Sequence, residues 1–289
     1  MVNRQILKQF VPPILLTSLR IAKRFFAKEK PQYKKLISND YSTLQIYSSD
    51  VWNSENWINH VKKSLLSQFD SPPNVHMNAV LSSIKWIHAF DNRTQINIID
   101  FGGGCGVMIP HLSRLEDELN SSFRKVVIDS TENIKLGQSV LRDVDGLEFF
   151  DDTKTKLDDV LLQHDKDESI TILNISSVLQ YIIPYSNFLE SLLAKTKPEV
   201  ICITRFPRCD DATNDAYGVQ DITSSIGYCG STVVNLFGRN TLIELMMKFG
   251  YYVVYEDFSF EGDTDYFGSC DDNNYRKMTL VAYTFIRSH

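Results

Sequence analysis

"IIDFGGGCGV", residues 98–107, holds the pattern that decides the fold. Two isoleucines run into Asp100 and Phe101, then Gly102, Gly103 and Gly104 follow in succession, with Gly106 one residue later. An apolar run that stops in glycines reads as a strand whose end passes close to something. Glycine has no Cβ and adopts positive φ at no steric cost. The spacing is G-x-G-x-G. A dinucleotide fingerprint, G-x-G-x-x-G, needs glycine at 107, where this chain has Val107.

Further along, short β-rich runs alternate with helix-like stretches: "INIIDF", "KVVID", "LEFFD", "ITILNIS" and "EVICITRF". That alternation predicts a parallel sheet covered by helices. "RNTLIELMMKFGYYVVYEDFSF" reads as helix, stop at Gly250, then strand, and "YRKMTLVAYTFIR" as one more strand. No clear helix separates these last two strands, so the final strand is expected to be antiparallel. The predicted fold is α/β, a Rossmann-like doubly wound sheet with an antiparallel last strand and a helical N-terminal region.

Before the first strand, residues 1–92 read as helices and loops. "SENWINHVKKSLLSQF" opens on Ser54 as N-cap and ends at the "DSPP" breaker. "NVHMNAVLSSIKWIHAF" places Val75, Ala79, Val80, Ile84 and Ile87 at helical spacing. The chain is thus divided at about residue 92, with a ligand-binding domain over 93–289 and an irregular insertion at 206–238.

Composition narrows the function classes. At 289 residues and 43% hydrophobic, the chain can bury a sizeable core. The net charge of −6 is uneven: residues 1–30 hold seven basic side chains against Glu29, which leaves +6 there and −12 in the remainder. An acidic body argues against nucleic acid as partner. Five cysteines without a CxxC motif fit a reducing cytoplasm, and neither a disulfide framework nor a metal site is expected.

The apolar run "FVPPILLTSL" is too short to span a bilayer and lacks the order of a signal peptide. Two readings of the basic segment 1–30 stand: a helix docked on its own domain, or a peripheral contact with anionic lipid.

Asp100 gives the glycine loop its chemistry. A carboxylate beside the loop suits a cationic ligand group and repels phosphate. S-adenosylmethionine has such a group, its amino terminus, and no phosphate. Asp129 ends the second strand, where an acid accepts hydrogen bonds from ribose hydroxyls. Asp151 or Asp152, ending the third, is placed to meet the adenine amine.

With "DFGGGCG", Asp129 and the terminal helix–strand–strand unit, the chain resembles the class I S-adenosylmethionine-dependent methyltransferases. It is most similar to a family of methyltransferase-like proteins associated with bacterial cell-surface polysaccharide gene clusters. "VPPILL", "IIDFGGGCG", "VVIDSTENIKLGQ", "ISSVLQYI", "ITRFP" and "VQDI" carry that closer resemblance. That family has no settled substrate, so the resemblance implies a cofactor, S-adenosyl-L-methionine, and a reaction class. The family carries glutamate where this chain has Asp129, one methylene shorter, so the ribose contact is longer or water-bridged.

The expected cofactor-binding residues are Asp100, Gly102, Gly103, Gly104, Gly106, Asp129, Asp151, Ser176 and Ser177. The acceptor is expected above the fourth and fifth strand ends, near Asn174, Gln180, Tyr181 and Arg205. Tyr181, Arg205 and Gln220 are the catalytic candidates. Asp210, Asp211 and Tyr228 in the insertion, and Tyr41, Tyr47, Trp52 and Trp57 before the sheet, are candidate acceptor contacts. His111 reads as structural. The expected activity is methyl transfer to a small molecule or glycan precursor. The alternative is a nucleoside-binding scaffold without catalysis. A nicotinamide oxidoreductase is disfavoured by Val107 and by Asp100.

Overall fold

The computed structural model describes residues 33–45, 52, 54–90, 95–152, 157–162, 169–222, 230–257 and 278–288. The basic segment 1–30 lies outside them, as do Tyr47 and Tyr228. In chain order the elements are β1 (Tyr33–Ser38), a 3-10 turn (Tyr41–Thr43), α1 (Glu55–Gln68), α2 (Val75–Phe90), β2 (Gln95–Phe101), α3 (Ile109–Leu119), β3 (Phe123–Asp129) and α4 (Thr131–Val140). There follow β4 (Leu147–Asp151), α5 (Leu157–Leu162), β5 (Ser169–Ser176), a 3-10 turn (Leu179–Tyr181), α6 (Tyr185–Lys195), β6 (Val200–Cys209), β7 (Ala216–Ile222), β8 (Gly230–Gly238), α7 (Thr241–Lys248), β9 (Tyr251–Asp257) and β10 (Met278–Arg287).

The main sheet runs β4-β3-β2-β5-β6-β10-β9. Its first five strands are mutually parallel, and β10 is antiparallel to both neighbours, as the sequence predicts. The strand order reverses between β2 and β5, the place where an open α/β sheet leaves its ligand crevice.

The strands are apolar on both faces because both are covered. On one face Ile99, Ile128, Leu173, Ile175, Ile201 and Ile203 pack against Leu189, Leu192 and Leu193 of α6 and Leu242, Leu245 and Met246 of α7. On the other, Ile96, Ile98, Val127, Ile170 and Ile172 meet Val61 and Leu65 of α1, Val80, Ile84 and Ile87 of α2, and Leu112 and Leu115 of α3. The helices before residue 92 therefore share a core with the sheet. No helix among the described residues is long and apolar enough to cross a membrane.

Two regions differ from the sequence reading. Residues 33–38, read as helix and loop, form β1, which pairs antiparallel with β7. The insertion 206–238, read as irregular, is mostly strand: β6 continues to Cys209, and β7 and β8 form an antiparallel pair. β6 outruns β5, and its last two residues pair with β8. Pro207 in β6, together with Asp210, Asp211 and Asn214, masks this in the sequence, since proline and turn residues normally end a strand.

Candidate functional site

A cavity of about 220 Å³ opens over the switch point between β2 and β5. Its floor is the end of β2, the glycine loop and the ends of β5 and β6. Its roof is one face of α1 and the first turn of α2. The roof helices start where their caps dictate: Ser54 Oγ accepts from Trp57 N at 3.2 Å, and Asn74 Oδ1 from Met77 N at 3.0 Å. The far end of α1 is held by α3. Arg114 donates to the carbonyls of Gln68, Phe69 and Ser71, a cation on the unsatisfied carbonyls of a helix end. His111 Nε2 meets Gln68 Oε1 at 2.9 Å, a further tie between α3 and α1.

Not all of the loop glycines face the cavity. A Cβ on Gly103 would lie 2.5 Å from Asp100 Oδ2, so glycine there makes room for the buried carboxylate. Gly102 and Gly106 stand against Val178 and Leu141 in the same way. Gly104 is different. Its φ is +62, and a Cβ would meet only Val61 Cγ1, at 3.3 Å, across the cavity mouth.

Asp129 holds the loop in this shape. Its Oδ2 accepts from Gly104 N at 2.7 Å, and its Oδ1 accepts from Ser130 N at 2.7 Å and Asn133 Nδ2 at 2.6 Å. Three of its hydrogen bonds thus go to the protein itself, and it is not a cavity-lining residue. Asp151 accepts from Thr131 Oγ1, and Asp152 N donates to Asp129 O at 3.0 Å. Neither lines the cavity.

Asp100 sits in the cavity floor at 3% exposure. Asn174 Nδ2 donates to its Oδ1 at 2.7 Å. Burial pushes the Asp100 carboxyl up to about 7; the Asn174 hydrogen bond opposes this, and the Asp129 charge adds to it. Asn174 Oδ1 is buried in the same floor without a hydrogen-bond partner. The floor therefore presents a carboxyl and an amide oxygen, both acceptors.

The wall at β5 and β6 holds Ser176, Ser177 and Arg205. Ser176 Oγ accepts from Thr204 Oγ1 at 2.9 Å. Ser177 Oγ is buried without a partner. His60 and His76 enter from the roof. Burial pushes the His76 imidazole down to about 3; the nearby Arg205 cation adds to this and Asp257 opposes it, so His76 is neutral at pH 7.

The cavity thus gathers Asp100, Gly102, Gly103, Gly104, Ser176, Ser177 and Arg205 of the expected set, together with Trp57. Tyr181 and Gln220 lie elsewhere, with Tyr181 Oη donating to Gln220 Oε1 at 3.1 Å. Trp52 packs between Tyr181 and Trp57, with ring centroids 4.7 and 4.8 Å away. Tyr41 packs edge-on against Tyr217, 5.8 Å between centroids, and Asp210 binds Arg208 and Thr279. Asp211 is exposed.

His60 and His76 were not foreseen. The signal for His76 was present: it precedes Val80, Ile84 and Ile87 at helical spacing, so it shares their inward face.

No family model and no curated protein matches the chain. Some solved structures align with the chain at low identity. A SAM-dependent methyltransferase from Methanosarcina mazei is 13% identical, with 70% of this chain and 96% of that one covered and a TM-score of 0.45. An S-adenosylmethionine-dependent methyltransferase from Clostridium acetobutylicum is 12% identical, covering 81% and 99%, with a TM-score of 0.43. LepI in complex with SAM is 14% identical, covering 93% and 61%, with a TM-score of 0.48.

Proposed function

We propose that the protein is an S-adenosylmethionine-dependent methyltransferase acting on a small-molecule or glycan-precursor acceptor. The observation that carries this reading is the cavity floor, where Asp100 and the unpartnered Asn174 Oδ1 meet beside the glycine loop. A buried amide oxygen without a donor beside a buried carboxyl calls for a ligand that donates, and an ammonium is the donor that also neutralises a carboxylate. The same floor repels a pyrophosphate.

When bound, the cofactor supplies an electrophilic methyl group on its sulfonium. The chain's residues then hold and orient. Asp100 and Asn174 take the ammonium, and Gly104 leaves the loop backbone open to the nucleoside. Asp129 keeps the loop in its positive-φ shape and has one lone pair in reserve for a hydroxyl. The acceptor enters beneath α1 and α2, beside Ser177, Arg205 and His76. Alignment supplies much of the acceleration in a transfer of this kind. His76 borders this space from the roof as a neutral imidazole, and with its pKa pushed down to about 3 it is a poor acceptor for the proton of a hydroxyl or amine.

Isothermal titration with S-adenosylhomocysteine and with NAD tests the reading. Saturable one-to-one binding of the first and none of the second is expected. Binding of NAD alone would overturn it.

A further inference from the structure

Arg205 stands in an unusual place in its strand. β10 follows β6 in register as far as Val281 opposite Phe206, then resumes at Ala282 opposite Thr204. Arg205 is the residue skipped, a β-bulge, and its φ is +58. An L-residue in that conformation is strained, and glycine is the usual occupant. Bulges re-aim a side chain, and strained backbone collects where a site must be shaped. The adjoining Thr204 O accepts from Ser177 N at 2.9 Å, and Ser177 has a φ of +59. Two strained residues, one just past the end of β5 and one in the neighbouring β6, thus border one cavity.

Their functional groups are both open. Among the described residues Arg205 makes no hydrogen bond or ion pair, and Ser177 Oγ is buried without a partner. A guanidinium and a hydroxyl converging on a cavity make a donor set for an anion.

We propose that the acceptor carries an anionic group, a carboxylate or a phosphate, seated against the Arg205 guanidinium and the Ser177 hydroxyl. This rests on the methyltransferase reading, which places the acceptor at this wall. The cofactor's own carboxylate is the other anion to consider. In an α-amino acid the ammonium and carboxylate share one carbon, so an ammonium held by Asp100 and Asn174 leaves its carboxylate near the ends of β2 and β5, one strand spacing of about 5 Å from the Arg205 backbone, and the experiment must separate the two anions.

The test follows the His76 ring by NMR in the full-length protein saturated with S-adenosylhomocysteine. Inorganic phosphate and acetate are the probes, with chloride at matched ionic strength as control. At least one probe is expected to shift His76 saturably, and the pair separates a phosphate site from a carboxylate site. Arg205→Met and Arg205→Gly should weaken that binding about tenfold, and Ser177→Ala severalfold. Arg205→Gly suits the bulge backbone, so it keeps the test open if Arg205→Met folds poorly.

If S-adenosylhomocysteine binds but neither probe gives a shift that depends on Arg205, the anion site is wrong and the methyltransferase reading stands. If Arg205→Met weakens S-adenosylhomocysteine yet spares 5′-methylthioadenosine, which lacks the amino-acid part, Arg205 holds the cofactor's carboxylate and the proposal fails. If a probe binds and the wild type binds no S-adenosylhomocysteine, the methyltransferase reading fails and takes the acceptor assignment with it.

Discussion

Asn174 Nδ2 donates to Asp100 Oδ1 at 2.7 Å, across 74 residues of sequence, and ties the ends of β5 and β2 together in the cavity floor. The bond orients the carboxyl and leaves the amide oxygen of Asn174 unpartnered. Two acceptors are thereby fixed beside the glycine loop.

The first prediction concerns Asp100 and pH. Its folded pKa, about 7, lies above the ordinary 3.8, chiefly because of burial. A raised value means that its contribution to stability is full below about pH 4 and is lost as pH rises through 7. Asp100→Asn removes this loss. Urea unfolding should show the variant gaining on wild type between pH 4 and pH 8, by at most about 4 kcal/mol. The same variant should bind S-adenosylhomocysteine more weakly, by about 1.5–3 kcal/mol. Parallel pH profiles for the two proteins would contradict the assignment.

Binding by the wild type should also depend on pH. An ammonium favours ionised Asp100, so binding releases protons and tightens as pH rises from 6 to 8. Calorimetry in buffers of different ionisation enthalpy measures the protons directly. Proton uptake would oppose the account.

The clamp at Asp129 gives a third expectation. Asp129→Ala leaves Gly104 N, Ser130 N and Asn133 Nδ2 without their acceptor. Stability should fall by about 2–4 kcal/mol, and S-adenosylhomocysteine binding should fall with it. A contact made to ribose alone would weaken binding and leave the unfolding midpoint unchanged, so denaturation separates the two roles.

Arg205 and His76 are coupled through the cavity. Removing the cation by Arg205→Met should raise the His76 pKa from about 3, yet leave it below the ordinary 6.5, because burial is the larger cause. An imidazole titration by NMR reads this. Arg205→Gly, which relieves a positive φ, should in addition stabilise the protein by about 0.5–1 kcal/mol. An unchanged His76 titration would place the guanidinium outside electrostatic reach.

Gly103 and Gly104 should respond differently to alanine. At Gly103 a Cβ meets the Asp100 carboxylate, so Gly103→Ala displaces it and weakens S-adenosylhomocysteine about tenfold or more. At Gly104 a Cβ meets only the Val61 methyl, a tight contact at 3.3 Å that a small shift of that side chain relieves, and Gly104→Ala should cost about 1–2 kcal/mol, chiefly through φ. Calorimetry and thermal melts on both variants check the order.

The sheet and its glycine loop could be read from the sequence because each signal is local. A run such as "IIDFGGGCG" carries strand, stop and loop within nine residues. The floor could be read only in part. Asp100 announces itself beside the loop, but its bond to Asn174 depends on two strands meeting, which no local pattern encodes. Asp129 was legible as an acid at a strand end, while the direction of its hydrogen bonds depended on how the loop folded back. Tyr181 and Gln220 looked like acceptor residues by position, yet β7 and β8 draw them to each other. That pair of strands was hidden by Pro207 and the polar residues between. His76 was legible as an inward-facing residue from its spacing to Val80, Ile84 and Ile87, but nothing local says that a cavity opens against that turn.

A crystal structure of the protein with S-adenosylhomocysteine would locate the amino group itself. The ligand's amino nitrogen is expected about 2.7–3.2 Å from Asn174 Oδ1 and from the Asp100 carboxylate, with the nucleoside against the backbone of Gly104. A ligand seated away from the glycine loop, or turned so that its amino group points away from Asp100, would contradict this placement.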